Sequence, residues 1–332
     1  MNVAAEGLID VHAHVVLEGV FGAAGSYGPE LLENETGEPV FRAGDYILRD
    51  VRYQGSVFMD IRARLAAMDA AGIALQVLSP NPITLFHSVE SEIAVAFCRR
   101  HNELLAGLVA TNPKRLRALA ALPMQDVKAA IDELHRAVKT HGMSGAAIGV
   151  DVGRQLDDPA LDEFYAAVID LDVPLFIHPA PNGSDGGWID RRLERWDLAL
   201  VAGFARDETL AALTLIFGGV LERHASLDIC LSHGGGAFPF LLGRARAAAR
   251  RPWAAEWVQS EGSFDAFVER LWFDVHVGSE AALACLLAVV SPERVVYGSN
   301  FGGWDQPTGN HGRPSMELSQ RLNNNARSLL RL

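Results

Sequence analysis

The sequence predicts an α/β protein of the (β/α)8 barrel class, the TIM barrel, and three observations favour this fold. Eight short apolar runs alternate with longer amphipathic stretches along the 332-residue chain. Several runs end in a histidine or another polar side chain, at the strand ends where barrel enzymes carry their site. The first run lacks the glycine-rich turn of a doubly wound dinucleotide-binding sheet. A closed barrel therefore accounts for the pattern better than an open sheet.

The predicted strands share a short apolar core bounded by polar or turn residues. In chain order they are LIDV near residue 8, ALQVL near 74, ALAAL near 118, GAAIG near 145, PLFI near 174, DICLS near 228, LWFDV near 271 and RVVYG near 294. Stretches between them, such as SVFMDIRARLAAMDAAG and SEIAVAFCRRHNELLAGLV, place apolar residues at i, i+3 and i+4. These stretches are predicted to be the helices that cover the barrel.

Residues 1–332 are expected to form one domain, because no linker, internal repeat or low-complexity tract divides the chain. Residues 17–55 contain Gly, Pro, Asn and Glu without clear periodicity and are predicted to form a long loop after the first strand. Long loops on this face of a barrel tend to cover the site. The segment is therefore a candidate lid.

The composition excludes some function classes. A formal net charge of −12 argues against nucleic acid, whose phosphates require clustered Lys and Arg. Cys98, Cys230 and Cys285 lie in separate apolar stretches, without the close spacing of a thiolate metal site, and are expected to be reduced. The amino terminus does not have the pattern of a leader, and no segment has the run of about 18 apolar residues of a membrane helix. A cytoplasmic protein without a membrane partner is expected.

Four histidines at three predicted strand ends indicate a metal site. His12 and His14 in LIDVHAH can present two imidazoles to one ion, because residues i and i+2 of a strand point the same way. His178 follows VPLFI, and His233 follows DICLS and opens a run of three glycines. At the end of the eighth strand stands Asn300, whose amide oxygen can bind a metal but cannot accept a proton from bound water.

These residues resemble those of a known family. LIDVHAH, FIHP, ETLAALTLIFGGVLERH, LSHGGGAFPFLLGR and the glycine-rich end of the eighth strand are similar to the amidohydrolase-related decarboxylases, the aminocarboxymuconate-semialdehyde decarboxylase-like family of the amidohydrolase superfamily. The resemblance covers nearly the whole chain, and residues 208–244 are its most specific part.

The resemblance implies that His12, His14 and His178 are metal ligands and that His233 is a catalytic base beside the metal. It further implies one divalent ion, Zn²⁺ first with Mn²⁺ or Fe²⁺ as alternatives. The family has an aspartate where this chain has Asn300. Three imidazoles and an amide leave the +2 charge of the ion uncompensated, which favours an anionic substrate.

The resemblance also implies an arginine, from the loop before the first helix, that holds a substrate carboxylate. Arg52 is the best match and Arg49 the second, and a solvated loop arginine is the alternative for each. The family tryptophan after the His-Pro pair is absent, since Ala180 follows Pro179. A homodimer that acts on a small-molecule carboxylate is implied as well.

Two residues near the last strands remain open. His276 in LWFDVHV and Asp305 after the eighth strand either join the site, as metal ligand and proton acceptor, or serve as a structural histidine and a turn-capping aspartate. The fourth strand, GAAIGVD, does not end in a lysine that could be carboxylated to bridge two metals. A mononuclear site is therefore expected.

The predicted function is non-oxidative decarboxylation of an aromatic or unsaturated carboxylic acid, with His233 as the proton-transfer group. The first alternative is a hydrolase or hydratase of the same superfamily that acts on a lactone, amide or enol acid, with Asp305 as proton acceptor. Two further alternatives are a partner subunit that has lost activity and an oxidase with two metals, the second held by His276 and Asp305.

Overall fold

The computed structural model of the chain describes residues 7–49, 53–180, 190–303, 305 and 314–332. These residues form parallel strands surrounded by helices, with a small antiparallel sheet inserted near the start. The strands are β1 (Leu8–Val15), β2 (Glu30–Glu33), β3 (Pro39–Ala43), β4 (Tyr46–Leu48), β5 (Ile73–Pro80), β6 (Leu116–Ala118), β7 (Ala120–Ala121), β8 (Ala146–Ile148), β9 (Leu175–Ile177), β10 (Ile229–Leu231), β11 (Trp272–Asp274) and β12 (Val295–Val296).

The helices lie mainly between successive strands of the barrel. They are α1 (Ile61–Ala71), α2 (Ser91–Thr111), α3 (Val127–Lys139), α4 (Asp162–Asp170), α5 (Phe204–Phe217), α6 (Val220–Arg223), α7 (Phe238–Ala249), α8 (Glu256–Gln259), α9 (Ser263–Val268), α10 (Glu280–Val289) and α11 (Met316–Leu330). Several begin where the sequence predicts a cap. Asp60 accepts hydrogen bonds from the first turn of α1, and Gly72 ends that helix in the left-handed conformation.

The strands follow the order of a (β/α)8 barrel. Parallel pairing runs β1-β5-β6 and β7-β8-β9-β10-β11-β12, with β6 and β7 separated only by Leu119 in one continuous stretch. The last strand region meets the first through a hydrogen bond from Val11 N to Tyr297 O at 2.9 Å and a parallel bridge between Ala13 and Phe301. The predicted α/β fold is confirmed, and every predicted strand lies at its expected place.

The interior of the barrel is a packed core. One buried apolar cluster takes side chains from all eight strand positions and from the C-terminal helix α11, which covers one end. Its buried members are Ile9, Val11, Val77, Leu119, Ala147, Phe176, Cys230, Trp272, Val296, Ala326, Leu329 and Leu330. This layer fixes the directions of the strands, and hence the positions of the polar residues at their ends.

The segment after β1 is more regular than the sequence suggests. Instead of one long irregular loop, its described part contains two short 3-10 helices and the antiparallel sheet β2-β3-β4. Asn34 Oδ1 accepts hydrogen bonds from the backbone of Thr36 and Glu38, which closes the β2-β3 turn. These strands are too short to show a clear alternation in the sequence. A lid role for residues 17–55 stays a prediction.

The cysteines are all unpaired, with Cys98 and Cys230 buried and Cys285 half-buried. Across the described ranges, no helix is both long and apolar enough to span a bilayer.

Candidate metal centre

Three histidines from two barrel strands converge. The potential ligand atoms of His12, His14 and His178 lie within 4.8 Å of one another, and all three side chains are buried. His12 Nε2 lies 3.2 Å from His14 Nε2. Among the described residues, His178 Nε2 is buried without a hydrogen-bond partner. A buried polar nitrogen without a partner is costly unless a ligand satisfies it, so this arrangement fits a metal ion.

The opposite nitrogen of His12 is held by a carboxylate. His12 Nδ1 donates to Asp274 Oδ2 at 2.7 Å, and both side chains are fully buried. Asp274 Oδ1 also accepts from the backbone N–H of His276 at 3.0 Å and from that of Gly234 at 3.3 Å. A proton on Nδ1 leaves Nε2 with a free lone pair, which is the tautomer that binds a metal.

The other two imidazoles are oriented in the same way by uncharged groups. His14 Nδ1 lies 2.8 Å from Ser79 Oγ and 3.1 Å from Pro80 O, and His178 Nδ1 lies 2.6 Å from Pro179 O. Nδ1 donates to these carbonyl oxygens. All three Nε2 atoms are therefore left for one shared ligand, and the rings cannot turn without losing these bonds.

The three imidazoles are neutral in the folded protein. Burial lowers the pKa of His12 to about 4, although Asp274 opposes the change, and burial holds the pKa values of His14 and His178 well below 6.5. Burial also opposes ionisation of Asp274, but its contacts with His12 keep the pKa of that carboxyl below its usual value. Neutral imidazoles beside an ionised carboxylate are the state that binds a cation.

His233 lies beside the triad and forms a pair with Glu208. Its ring centroid is 5.0 Å from that of His12 and 4.9 Å from that of His178. His233 Nδ1 donates to Glu208 Oε1 at 2.7 Å, and Ser232 Oγ donates to the same oxygen. Burial disfavours the imidazolium, yet the Glu208 carboxylate outweighs it and raises the pKa of His233 to about 9. Burial raises the pKa of Glu208 as well, so the pair holds a proton firmly.

Asn300, Asp305 and His276 are connected by hydrogen bonds. Asn300 Nδ2 donates to Asp305 Oδ1 at 2.8 Å, and His276 Nε2 lies 2.9 Å from Asp305 Oδ2. Burial works against ionisation of Asp305, but the hydrogen bond from His276 lowers the pKa of that carboxyl to about 2. His276 and Asp305 thus contact each other, and neither belongs to the group of ligand atoms within 4.8 Å formed by the three histidines. Their roles as metal ligand and proton acceptor stay predictions.

Of the two arginines expected to hold a substrate carboxylate, the structure describes Arg49. Arg52, the first choice, lies outside the described residues. Arg49 is described and is exposed to solvent.

A buried polar network supports the first strand behind the histidines. Asp10 accepts hydrogen bonds from Gln76 Nε2 at 2.9 Å and Ser299 Oγ at 2.7 Å, and Arg64 donates both to Gln76 Oε1 and to the backbone oxygen of His14. Burial raises the pKa of Asp10 to about 6. The network ties β1 to β5 and to the residue before Asn300, so it fixes where these side chains point.

Two residues of the site, one in the turn after β10 and one after β12, have a strained backbone. His233 has a φ of 46° and Asn300 one of 47°, in the left-handed region that non-glycine residues rarely adopt. Three glycines follow His233. A Cβ at Gly236 would lie 2.2 Å from the backbone oxygen of Ala205, and its φ is +65°, so no other residue fits there.

A cavity of about 600 Å³ opens beside these residues. Glu208, His233, His276, Asn300 and Asp305 line one part of it, and apolar side chains line the rest. The structure therefore brings His233, Asn300, Asp305 and His276 around one space next to the histidine triad.

Two buried carboxylates, Asp274 and Glu208, were not among the predicted site residues. Asp274 ends β11, so the strand-end argument that selected the histidines could have selected it too. Glu208 lies on α5, away from any strand end, and no local pattern distinguishes its carboxylate from that of a solvated helix.

Comparison with known proteins gives three findings. The family model described as Amidohydrolase matches residues 9–331. The 2-amino-3-carboxymuconate-6-semialdehyde decarboxylase of Dictyostelium discoideum is 31% identical over 245 residues, which cover 73% of this chain and 66% of the relative, just under two thirds of its length. The crystal structure of 2,6-dihydroxybenzoate decarboxylase from Rhizobium superposes with a TM-score of 0.77 at 24% identity, over 98% of this chain and 99% of that one.

A further solved structure carries a metal. It is 5-carboxyvanillate decarboxylase from Novosphingobium aromaticivorans with bound manganese and 3-methoxy-4-hydroxy-5-nitrobenzoic acid, in a variant with an aspartate changed to asparagine. It matches with a TM-score of 0.73 and 25% identity, and the match covers 83% of this chain and 82% of that one.

Proposed function

The chain belongs to the amidohydrolase family, and from that premise we propose that it is a metal-dependent decarboxylase of an aromatic or unsaturated carboxylic acid. The observation that carries the proposal is the His233–Glu208 pair, which lies against three buried imidazoles that each leave Nε2 free. The decarboxylases similar to this chain support the reaction class.

His12, His14 and His178 would hold the ion. Three neutral imidazole nitrogens favour Zn²⁺, although the manganese of the similar carboxyvanillate enzyme makes Mn²⁺ the alternative. When bound, the ion would act as a Lewis acid that holds the substrate oxygens and stabilises the negative charge left as carbon dioxide departs.

His233 supplies the proton. The bond between the carboxyl carbon and its neighbour breaks, its electron pair remains on the neighbouring carbon, and that carbon takes a proton as carbon dioxide leaves. Because Glu208 accepts from Nδ1, the proton to be delivered is on Nε2 of His233. A positioned acid of this kind accelerates such a step by about 10²–10⁴-fold.

The geometry favours decarboxylation over hydrolysis. Hydrolysis requires a group that accepts a proton from water, and Asn300 cannot do so. Asp305 lines the same cavity, but both of its oxygens are engaged by Asn300 and His276, and a pKa of about 2 makes it a weak base. A hydrolase or hydratase is therefore the second candidate.

The proposed site also requires a positively charged side chain that binds the substrate carboxylate. Within the described part of the chain, no Lys or Arg lines the cavity. We keep Arg52 as the proposed carboxylate-binding residue and Arg49 as the second choice. Arg52→Ala should raise KM more than it lowers kcat, because it removes binding that is equal in ground and transition states.

The metal and His233 are tested together. Protein purified without chelator should contain about one divalent ion per chain by elemental analysis. His233→Asn, an exchange that tolerates the left-handed backbone, should keep that ion and lose carbon dioxide release from a panel of hydroxybenzoates and unsaturated acids. Metal-free protein that takes up neither zinc nor manganese would contradict the enzyme and favour an inactive partner subunit.

Two further proposals concern the oligomeric state and the location of the protein. We propose a homodimer, which light scattering after gel filtration would measure, and a cytoplasmic location, which fractionation of the source cells would measure. Two ions per chain would instead favour the oxidase alternative with His276 and Asp305 as ligands.

A further inference from the structure

The two ends of the cavity differ in chemistry. The titratable acids and imidazoles among its described lining residues lie next to one another around His233, whose ring is 5.0 Å from that of His12; they are Glu208, His233, His276 and Asp305. Apolar lining side chains come from the first turn of α5, from the π-helical turn Ala199–Gly203 before it, and from α10, and we call this part the apolar end. A substrate in this space therefore meets polar groups on one side and hydrocarbon on the other.

Phe204 marks the boundary between the two ends. Its ring lies 5.7 Å from that of His178 and 5.9 Å from that of His233, measured between centroids, so it contacts both the proposed metal site and the proposed proton donor. It also lines the cavity. A ring or double bond held at His233 would consequently pack against Phe204, and any group on its far side would extend into the apolar end.

One face of α10 forms a second apolar wall of the cavity. Ala281, Ala282, Cys285 and Leu286 line the cavity, and the 281/285 and 282/286 spacing places them on one side of the helix. The two alanines are small and leave room for an extended substituent. None of these side chains can pair with a charge, so a second carboxylate or an ammonium group would gain no partner from this wall, whereas a hydrocarbon group would remove apolar surface from water.

We propose that the substrate is an amphipathic acid, with its carboxyl group at the histidine end and an uncharged hydrocarbon substituent, alkyl or aryl, in the apolar end between Phe204 and α10. The inference rests on the proposed function for the placement of the carboxyl group. The inference goes beyond the proposed function because it excludes acids that have a second charged group distant from the first. A cavity of about 600 Å³ lies within the usual range for sites that enclose small organic ligands.

Cys285 allows binding to be measured without turnover. Cys98 and Cys230 are 1% exposed, whereas Cys285 is half-buried and lines the cavity. Alkylation by iodoacetamide, followed by intact mass, should therefore modify Cys285 first. Benzoate and its 3- and 4-alkyl derivatives, from methyl to hexyl, should protect it. The concentration for half protection should fall about three- to fourfold for each added methylene until the end is filled.

A pair of alanines on α10 provides a matched test. Ala281 lines the cavity and Ala284 does not, and both are exposed on the same helix. Ala281→Phe should fill the apolar end, so that the hexyl derivative protects at least tenfold less well while benzoate is nearly unaffected. Ala284→Phe should leave both unchanged. Protection that does not depend on chain length, or equal effects of the two variants, would overturn the inference.

The same acids separate this inference from the proposed function. Carbon dioxide release from the hydroxylated members tests decarboxylation, and chain-length dependence of protection tests the apolar end. If no acid is decarboxylated but protection grows with chain length, the proposed function fails and the apolar site stands. If decarboxylation occurs and adipate-like diacids protect as well as alkylbenzoates, the apolar site fails alone.

Discussion

At the scale of the residue, Asp274 connects most of the site. Its carboxylate accepts from His12 Nδ1 and from the backbone N–H groups of Gly234 and His276. One side chain therefore orients a proposed metal ligand, the glycine turn after His233 and the strand end that carries His276. Such outer contacts commonly alter metal affinity by 10- to 100-fold.

Asp274→Asn should weaken zinc binding about 10- to 100-fold while the protein stays folded. The amide keeps one oxygen that can accept from the backbone N–H groups, but it has no negative charge to hold the Nδ1 proton of His12. Competition with a chromogenic chelator would measure the affinity. Ser79→Ala is the matched control, since His14 keeps its bond to Pro80 O. An equal loss in both variants would contradict the special role of Asp274.

The histidines could be predicted from the sequence because each lies in or just after the carboxyl-terminal part of a strand, and these strand ends meet at one mouth of a barrel. The partners of these residues could not. Glu208 reaches His233 from a helix 25 residues earlier, and the contact between Asp305 and His276 spans 29 residues. Such pairings depend on how loops and helices pack, which local periodicity does not encode.

At the scale of the element, the turn after β10 is the most constrained segment near the site. All three residues of the 3-10 turn His233–Gly235 have positive φ, and Gly236 then contacts the backbone of Ala205 ahead of α7. Because α5 and α7 both touch this turn, its shape determines the distance between His233 and Glu208.

Gly236→Ala should destabilise the protein by about 2–4 kcal/mol and reduce activity, because a Cβ there meets the Ala205 oxygen and the backbone has a positive φ. Chemical denaturation would measure the loss. Gly243→Ala on α7 is the control, since its Cβ would meet nothing within 4 Å, and it should stabilise by about 0.5–1 kcal/mol. Similar stability of the two variants would refute the steric argument.

The barrel strands were predictable as elements because each lies in a continuous apolar run, and the helices because their apolar residues recur at helical spacing. The inserted sheet was not, since β2 (ELLE) has a glutamate at each end and neither β2 nor β4 contains a buried residue. Its stability comes from packing: Phe41 and Ala43 of β3 join a separate buried cluster with residues of α2 such as Phe97. Tertiary contacts therefore decide the conformation of residues 30–48.

At the scale of the whole molecule, buried histidines make stability depend on pH. In five of them burial lowers the pKa below 6.5, so the unfolded chain binds more protons and stability of the metal-free protein should rise with pH up to about 6.5. Burial raises the pKa of Asp10 to about 6 and also raises the pKa of Glu208, so these two acids oppose this rise in stability. The five histidines are His12, His14, His87, His101 and His178.

His233 has the opposite sign. Burial opposes its charge, but Glu208 raises its pKa to about 9, so its contribution is present below pH 6.5 and is lost as pH rises to 9. Thermal unfolding of chelator-treated protein should therefore show a maximum near pH 6.5–7. Glu208→Gln should flatten the alkaline fall. A midpoint that rises steadily from pH 5 to 9 would disprove the assignment.

The contact between His12 and Asp274 joins residues 262 positions apart, and that between Asp10 and Ser299 joins residues 289 positions apart. Contacts of such separation form slowly, because a long stretch of chain must be ordered before they can be made. The site is thus assembled only when the last strands reach the first. Uptake of zinc during refolding, followed by stopped-flow with a zinc-sensitive dye, should lag behind the far-UV signal and report the moment the barrel closes.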